Sequence, residues 1–135
     1  MYTYNKQFID NSDINALIKT LKSEFITQGN QVNKFEKSLK SFFKSRYATA
    51  VSSGTAALHL SGLALGWSKN DIVITSPLSF LATANCVIMC GAKPEFVDID
   101  NKYGNIDLNL LEEKIKNLKQ KNKSIKSVIG VDYAG

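Results

Sequence analysis

An α/β fold, with helices layered on a mostly parallel sheet, is what this sequence predicts. Helix-type and strand-type apolar patterns alternate from about residue 46 onward, the order that builds parallel strands joined by crossover helices. One run, Asp71–Thr75 (DIVIT), is nearly all apolar and β-branched, as a strand covered on both faces requires. Gly66 and Gly91 each stand where an apolar helical stripe ends, the C′ position that favours glycine.

Taken in order, the elements read as follows. Asn11 and Ser12 are cap-type residues ahead of Ile14, Leu17, Ile18 and Leu21, an apolar stripe at helical spacing. The segment 25–30 (FITQGN) breaks that helix and reads as a loop. A second amphipathic helix carries Val32, Phe35, Leu39, Phe42 and Phe43 on one side and lysines on the other. Tyr47–Val51 predicts a short strand, 52–54 a turn, and Thr55–Leu65 a helix closed by Gly66. Asp71–Thr75 is the next strand, and Phe80–Cys90 the next helix, opened by Pro77 and Ser79 and closed by Gly91. Glu95–Ile99 predicts a third strand. Asp107 caps a helix with Leu108, Leu111, Ile115 and Leu118 on its inner face, and Ser127–Tyr133 is a fourth strand. A sequence that stops on a strand predicts part of a larger domain. The expected organisation is one partial domain over 1–135: N-terminal helices and a loop in 1–45, and the start of an α/β domain in 46–135.

Composition narrows the class. The chain has 135 residues, 44% of them hydrophobic and 21% charged, the profile of one globular unit rather than a disordered segment. Its longest apolar stretch, Phe80–Cys90, is interrupted by Thr83 and Asn85 and falls far short of the roughly 20 residues of a membrane span. The N-terminus has no signal-peptide pattern, so a cytoplasmic location is expected and no membrane partner. Cys86 and Cys90 lack a nearby Cys or His to complete a metal site; they read as small core hydrophobes. The net charge of +5 raises nucleic acid as a partner, but the lysines are scattered and the densest run, Lys114–Lys126, follows a helix with no interleaved aromatics. A solvated helix face accounts for it, and no nucleic-acid partner is expected.

Two local features carry chemistry. Between a strand and a helix stands 51–57 (VSSGTAA). Free amides at a helix N-terminus, partial positive charge from the macrodipole and a glycine that lets an anion approach make a phosphate cup. Taken alone, the motif reads as an ordinary Ser/Thr helix cap before it reads as a ligand site. It is neither a Walker A loop nor a GxGxxG turn. The second feature is 75–80 (TSPLSF), a strand end running into a helix start. In a parallel sheet ligands sit beyond the carboxyl ends of strands, so Phe80 is either a ring able to stack on a flat cofactor or a core phenylalanine.

Together with TQGNQVNKFE from Thr27, AVSSGTAALHLSGLALG, SPLSFLATANCVIMCGAKPEFVDID and the closing VDYAG, these motifs resemble the DegT/DnrJ/EryC1/StrS aminotransferases, fold-type I enzymes that aminate nucleotide-linked keto-sugars. The resemblance runs from about Tyr4 to Gly135. Within the family it is greatest to the pseudaminic-acid branch, whose members make UDP-4-amino-4,6-dideoxy-N-acetyl-β-L-altrosamine. It implies the N-terminal part of a large domain that binds pyridoxal 5′-phosphate, with the phosphate on the amides of Gly54, Thr55 and Ala56 and Phe80 stacked on the pyridine ring. Thr27, Gln28 and Gly29 match the family's substrate-side loop, and Tyr4 would line the sugar pocket. The chain departs from the pattern at Asn30, where the family usually has proline, and at Asp132, where many relatives have histidine. His59, one turn beyond the cup, reads as a packed residue rather than a base.

The same resemblance places the Schiff-base lysine and the carboxylate on the pyridine nitrogen downstream of the matched segment. No catalytic residue is therefore assigned within the chain, and Asp98 and Asp100 match an upstream strand end instead. The implied reaction moves an amino group from L-glutamate to C4 of a UDP-linked 4-keto-6-deoxy-N-acetylhexosamine, in a homodimer. The 135 residues alone are expected to be inactive. Another nucleotide-sugar aminotransferase of the family, or a non-catalytic scaffold fragment, stays open as an alternative.

Overall fold

The computed structural model describes residues 6–27 and 29–133. They fall into two compact units, one ending at Ala50 and the other beginning at Val51.

In the first unit, α1 (Asn11–Leu21) and α2 (Asn30–Phe43) are the two predicted amphipathic helices. The cap of α1 is Asp10, one residue ahead of the predicted pair. Its carboxylate accepts from the Ser12 and Asp13 amides while its own amide donates to Asp13 Oδ2, a reciprocal capping box. Both apolar stripes are present, and no residue of α1 or α2 is buried. Tyr47–Val51, predicted as a strand, is irregular. A β-type run becomes a strand only when a neighbour pairs with its backbone, and here the Ala50 amide donates to Glu36 Oε1 at 2.9 Å instead.

The second unit is a three-layer α/β arrangement. Strands β1 (Asp71–Thr75), β2 (Lys93–Phe96) and β3 (Ser124–Ile129) form a parallel sheet in the order β2-β1-β3. Helices α3 (Gly54–Ala64) and α4 (Ala82–Met89) cover one face, where Trp67, Val73, Cys86, Val87 and Ala92 are buried with Leu58 and Ile129 against them. Helix α5 (Leu108–Gln120) covers the other, where Ile72, Ile74, Val97 and Leu118 pack with Leu111, Ile115 and Ile125. Only central β1 is buried along its whole length, so the unbroken apolar character expected of parallel strands holds there alone. Complete burial of an aliphatic side chain such as Val73 or Ile74 contributes about 1.5–3 kcal/mol.

Both outer strands start earlier than predicted. In β2, Lys93 and Pro94 pair with Ile72 and Val73, although proline cannot donate to a ladder and is tolerated at a sheet edge. In β3 a register shift opposite Ile72/Val73 leaves Lys126 as the extra residue. Ile125 and Ile129, an even number apart, would otherwise share a face. The bulge sends Ile125 to the α5 side and Ile129 to the α3/α4 side, the re-aiming that such insertions produce.

The three helices of the second unit end in one device, which closes α2 as well at Lys44. Gly66 donates to the Leu63 carbonyl and Trp67 to Gly62, Gly91 to Ile88 and Ala92 to Val87, Asn122 to Lys119 and Lys123 to Leu118. Each is a Schellman cap whose C′ residue has positive φ (69°, 80° and 51°). Each turns its helix into the amino end of the following strand. That leaves the opposite end of the sheet to the loops that open α3, α4 and α5.

Candidate functional site

The cup is built by the first turn of α3. Ser53, in extended backbone, is its N-cap, and its hydroxyl oxygen accepts from the Ala56 amide at 3.1 Å. The Ala57 amide donates to the Ser53 carbonyl. Among the described residues no acceptor meets the Gly54 or Thr55 amide. Of the three predicted phosphate donors, two thus meet no acceptor among the described residues and Ala56 is held by the cap.

Gly54 carries further information. Its φ lies outside the left-handed range and a Cβ there would meet nothing within 4 Å. Neither backbone conformation nor a neighbour demands glycine. What the missing side chain leaves is bare backbone at the positive end of a helix, where an anion can come close.

Phe80 lies just beyond the carboxyl end of β1, in the loop that opens α4, and is 79% exposed. It is not a core residue; its ring is free on the edge where a parallel sheet presents ligands. The loop is anchored from below. Thr75 Oγ1 donates to the Ile129 carbonyl at 3.2 Å, tying the carboxyl ends of β1 and β3. Ser76, 1% exposed, accepts the Leu78 amide on its hydroxyl at 3.1 Å. Ser76 carries only one signal in the sequence, a serine directly following a buried strand and preceding proline.

Thr27 and Gly29 belong to the first unit. Thr27 is exposed. Gly29 is the N-cap of α2, and a Cβ there would lie 2.8 Å from the Phe25 carbonyl oxygen, so close backbone approach requires glycine. Tyr4 and Gln28 lie outside the described residues.

The remaining polar groups are structural. Asp98 and Asp100 accept backbone amides of their own turn, Asp98 from Ile99 and Asp100 from Lys102 and Tyr103. His59 is half-buried on α3, and its carbonyl accepts from Cys90 Sγ. Cys86 is buried and Cys90 half-buried, and burial pushes both thiols above their ordinary range, as for inert core cysteines. No group able to hold a metal ion occurs among the described residues, and none of their helices is long and apolar enough to cross a membrane.

Two depressions flank the sheet ends. The larger, about 750 Å³, lies at the amino ends of the strands and is lined by Lys93, Lys114, Lys121, Lys123 and Glu95. Lys114 and Lys93 pair with Glu95 at 2.8 and 2.7 Å and hold its carboxyl below the usual range. The smaller, about 560 Å³, opens past the carboxyl end of β3 between Asp100–Asn109 and Gly130–Asp132. Size favours the first, but ligand geometry in parallel sheets favours the carboxyl edge, where Phe80 stands.

The model of the DegT/DnrJ/EryC1/StrS aminotransferase family matches residues 7–135. The chain belongs to that family. It is 46% identical over its whole length to a UDP-4-amino-4,6-dideoxy-N-acetyl-β-L-altrosamine transaminase of Campylobacter jejuni, of which it spans 35%. Among solved structures it resembles Helicobacter pylori PseC, an aminotransferase involved in the biosynthesis of pseudaminic acid, at 35% identity and a TM-score of 0.83, covering 99% of this chain and 35% of that one. Spr1654 of Streptococcus pneumoniae in its PMP form matches at 28% identity and a TM-score of 0.80, over 95% of this chain and 31% of that one. The family chain described here thus spans about a third of the length of such relatives, and its second unit is an α/β piece of an aminotransferase fold.

Proposed function

We propose that these residues form the phosphate-holding and ring-stacking part of a pyridoxal-phosphate site in a nucleotide-sugar aminotransferase. The observation that carries this reading is Gly54, a glycine required by neither conformation nor packing, beside two amides with no acceptor among the described residues. Pyridoxal phosphate, when bound, supplies the electron sink through which an amino group passes from an amino acid to a keto-sugar. The chain's own residues bind and orient it. The Gly54 and Thr55 amides and the dipole of α3 hold the phosphate dianion, with Ala56 able to join when Ser53 turns its hydroxyl outward. Phe80 offers its face to the pyridine ring and fixes the ring plane. Tyr4, Thr27, Gln28 and Gly29 serve the sugar side.

Likeness to the Campylobacter altrosamine transaminase and to PseC supports a UDP-4-keto-6-deoxy-N-acetylhexosamine as acceptor, in pseudaminic-acid biosynthesis, with L-glutamate as donor. The reading includes a cytoplasmic homodimer and a catalytic lysine outside these 135 residues, so the chain alone turns nothing over. Binding tests it. Pyridoxamine 5′-phosphate binds the chain, and pyridoxamine without phosphate binds at least tenfold more weakly. Gly54→Ala keeps the melting temperature, because its Cβ meets nothing, yet weakens phosphate-dependent binding. Equal affinity of the two amines would sink the cup.

A further inference from the structure

We infer that Ser76 is a positioning residue for Phe80: its buried hydroxyl sets where the stacking ring stands, so that cofactor affinity depends on a side chain that never touches the cofactor. The inference rests on the cofactor reading above.

Phe80 projects from a loop with little of its own to fix it. Between the end of β1 at Thr75 and the start of α4 at Ala82, the described backbone bonds are Ser79 to the Pro77 carbonyl, and Thr83 and Asn85 back to Phe80 and Leu81. The last two belong to the helix start, and Leu81, the N-cap residue, makes no side-chain cap bond. A ring 79% exposed gains nothing from packing that would hold it in one place. The Phe80 carbonyl accepts from the Thr83 amide and from Ser79 Oγ at 3.4 Å, so its place is set by the two ends of the loop, the first turn of α4 and the root at β1.

That root is Ser76. The residue is 1% exposed, directly follows a fully buried strand, and its Oγ accepts the Leu78 amide at 3.1 Å. The bond closes a serine turn around Pro77, which has no amide to contribute. A buried acceptor of this kind fixes the direction in which the chain leaves the strand. Leu78 then seats its side chain toward the Gly104 turn: a Cβ placed on Gly104 would lie 3.7 Å from Leu78 Cδ2 and 3.4 Å from Tyr133 Cδ1. Tyr133 is in turn tied through its amide to Asn105 Oδ1 at 3.4 Å. Phe80 follows two residues after Leu78, so the serine turn and the seat under Leu78, with the first turn of α4, determine the ring's place.

Without the hydroxyl, the Leu78 amide loses its acceptor and the loop samples other exits from β1. Stacked aromatic pairs gain about 0.5–1.5 kcal/mol beyond area burial. A ring displaced from its place therefore forfeits between about twofold and tenfold in affinity, at about 1.4 kcal/mol per tenfold.

Pyridoxamine 5′-phosphate is the probe, because it carries no aldehyde and forms no adduct with surface lysines. Its dissociation constant is measured by fluorescence for the 135-residue chain and for Ser76→Ala, Ser76→Thr, Phe80→Ala and the Ser76→Ala/Phe80→Ala pair. Hydrogen exchange at the Leu78 amide is followed in parallel. Ser76→Ala should speed exchange at Leu78 and weaken binding about threefold to fivefold, with Ser76→Thr, which keeps the hydroxyl, restoring both. In the Phe80→Ala background the Ser76→Ala effect should vanish, since a residue acting through the ring has nothing left to position. An undiminished effect in that background overturns positioning through Phe80 and makes Ser76 merely structural. Native affinity in Ser76→Ala despite fast Leu78 exchange overturns it as well. Failure of the native chain to bind the probe removes the underlying cofactor reading, an outcome distinct from both.

Discussion

Gly62→Ala is the substitution whose effect the packing determines most sharply. Gly62 lies on α3 with its face against Trp67 and Cys90; an added Cβ would come within 2.8 Å of Cys90 Sγ and press on the Trp67 ring. Trp67 cannot swing away. It is 6% exposed, sits in the core cluster, and its indole N–H donates to Ser127 Oγ at 2.8 Å. Forcing a methyl into a packed core costs about 1–3 kcal/mol. The exchange of glycine for alanine within a helix returns about 1 kcal/mol of propensity. With two rigid groups obstructed at once, the net is a loss of about 1–2 kcal/mol, a fall in melting temperature of roughly 5–15 °C for a unit of this size. Circular dichroism melts of the native and substituted chain measure it. A melting temperature that rises, as helix propensity alone would produce, refutes the close packing of α3 on Trp67.

Other consequences follow from the same structure. Gly66→Ala meets no neighbour but must hold φ at 69°, so strain alone should destabilise the unit by about 1 kcal/mol. An unchanged melt would mean that α3 does not end in this cap. Asp71 accepts hydrogen bonds from the Ser124 hydroxyl and from the Ser68 hydroxyl and amide, which hold its carboxyl below the ordinary value. Its folded pKa being depressed, the stabilisation is complete above the unfolded carboxylate value and disappears as pH falls through the folded one. Urea midpoints followed down from neutral pH should therefore fall more steeply for the native chain than for Asp71→Asn, and parallel profiles would contradict the assignment.

Much of the α/β unit was legible because its signals are local. DIVIT announces a buried central strand, and Asp107 caps α5 as its sequence suggests, accepting the Asn109 and Leu110 amides. Gly66 and Gly91 mark helix ends because positive φ is cheap only without a Cβ. Asn122 closes α5 in the same way, but within a run of lysines it gave no comparable signal. What failed depends on partners. Tyr47–Val51 has strand composition but pairs with no strand among the described residues, and the start of β3 depends on a bulge at Lys126 that only pairing with β1 creates. The apolar stripes of α1 and α2 were readable, their exposure was not. At the site, glycine and hydroxyls pointed to the cup. That Ser53 engages Ala56 while Gly54 and Thr55 meet no acceptor among the described residues is a matter of rotamer and geometry. Phe80 was ambiguous between core and edge until its exposure placed it on the surface.

Two backbone amides, those of Gly54 and Thr55, define the cup, and they can be observed directly. In a titration of the isotopically labelled chain with pyridoxamine 5′-phosphate, followed by amide NMR, the Gly54 and Thr55 resonances should move farthest, downfield as hydrogen bonds to phosphate form. Signals around Phe80 should shift with them from ring currents. If the largest changes instead appear at Lys93, Lys121 and Lys123, around the groove at the amino ends of the strands, the phosphate is held by scattered lysine charge and the cup at Gly54 is an ordinary helix cap.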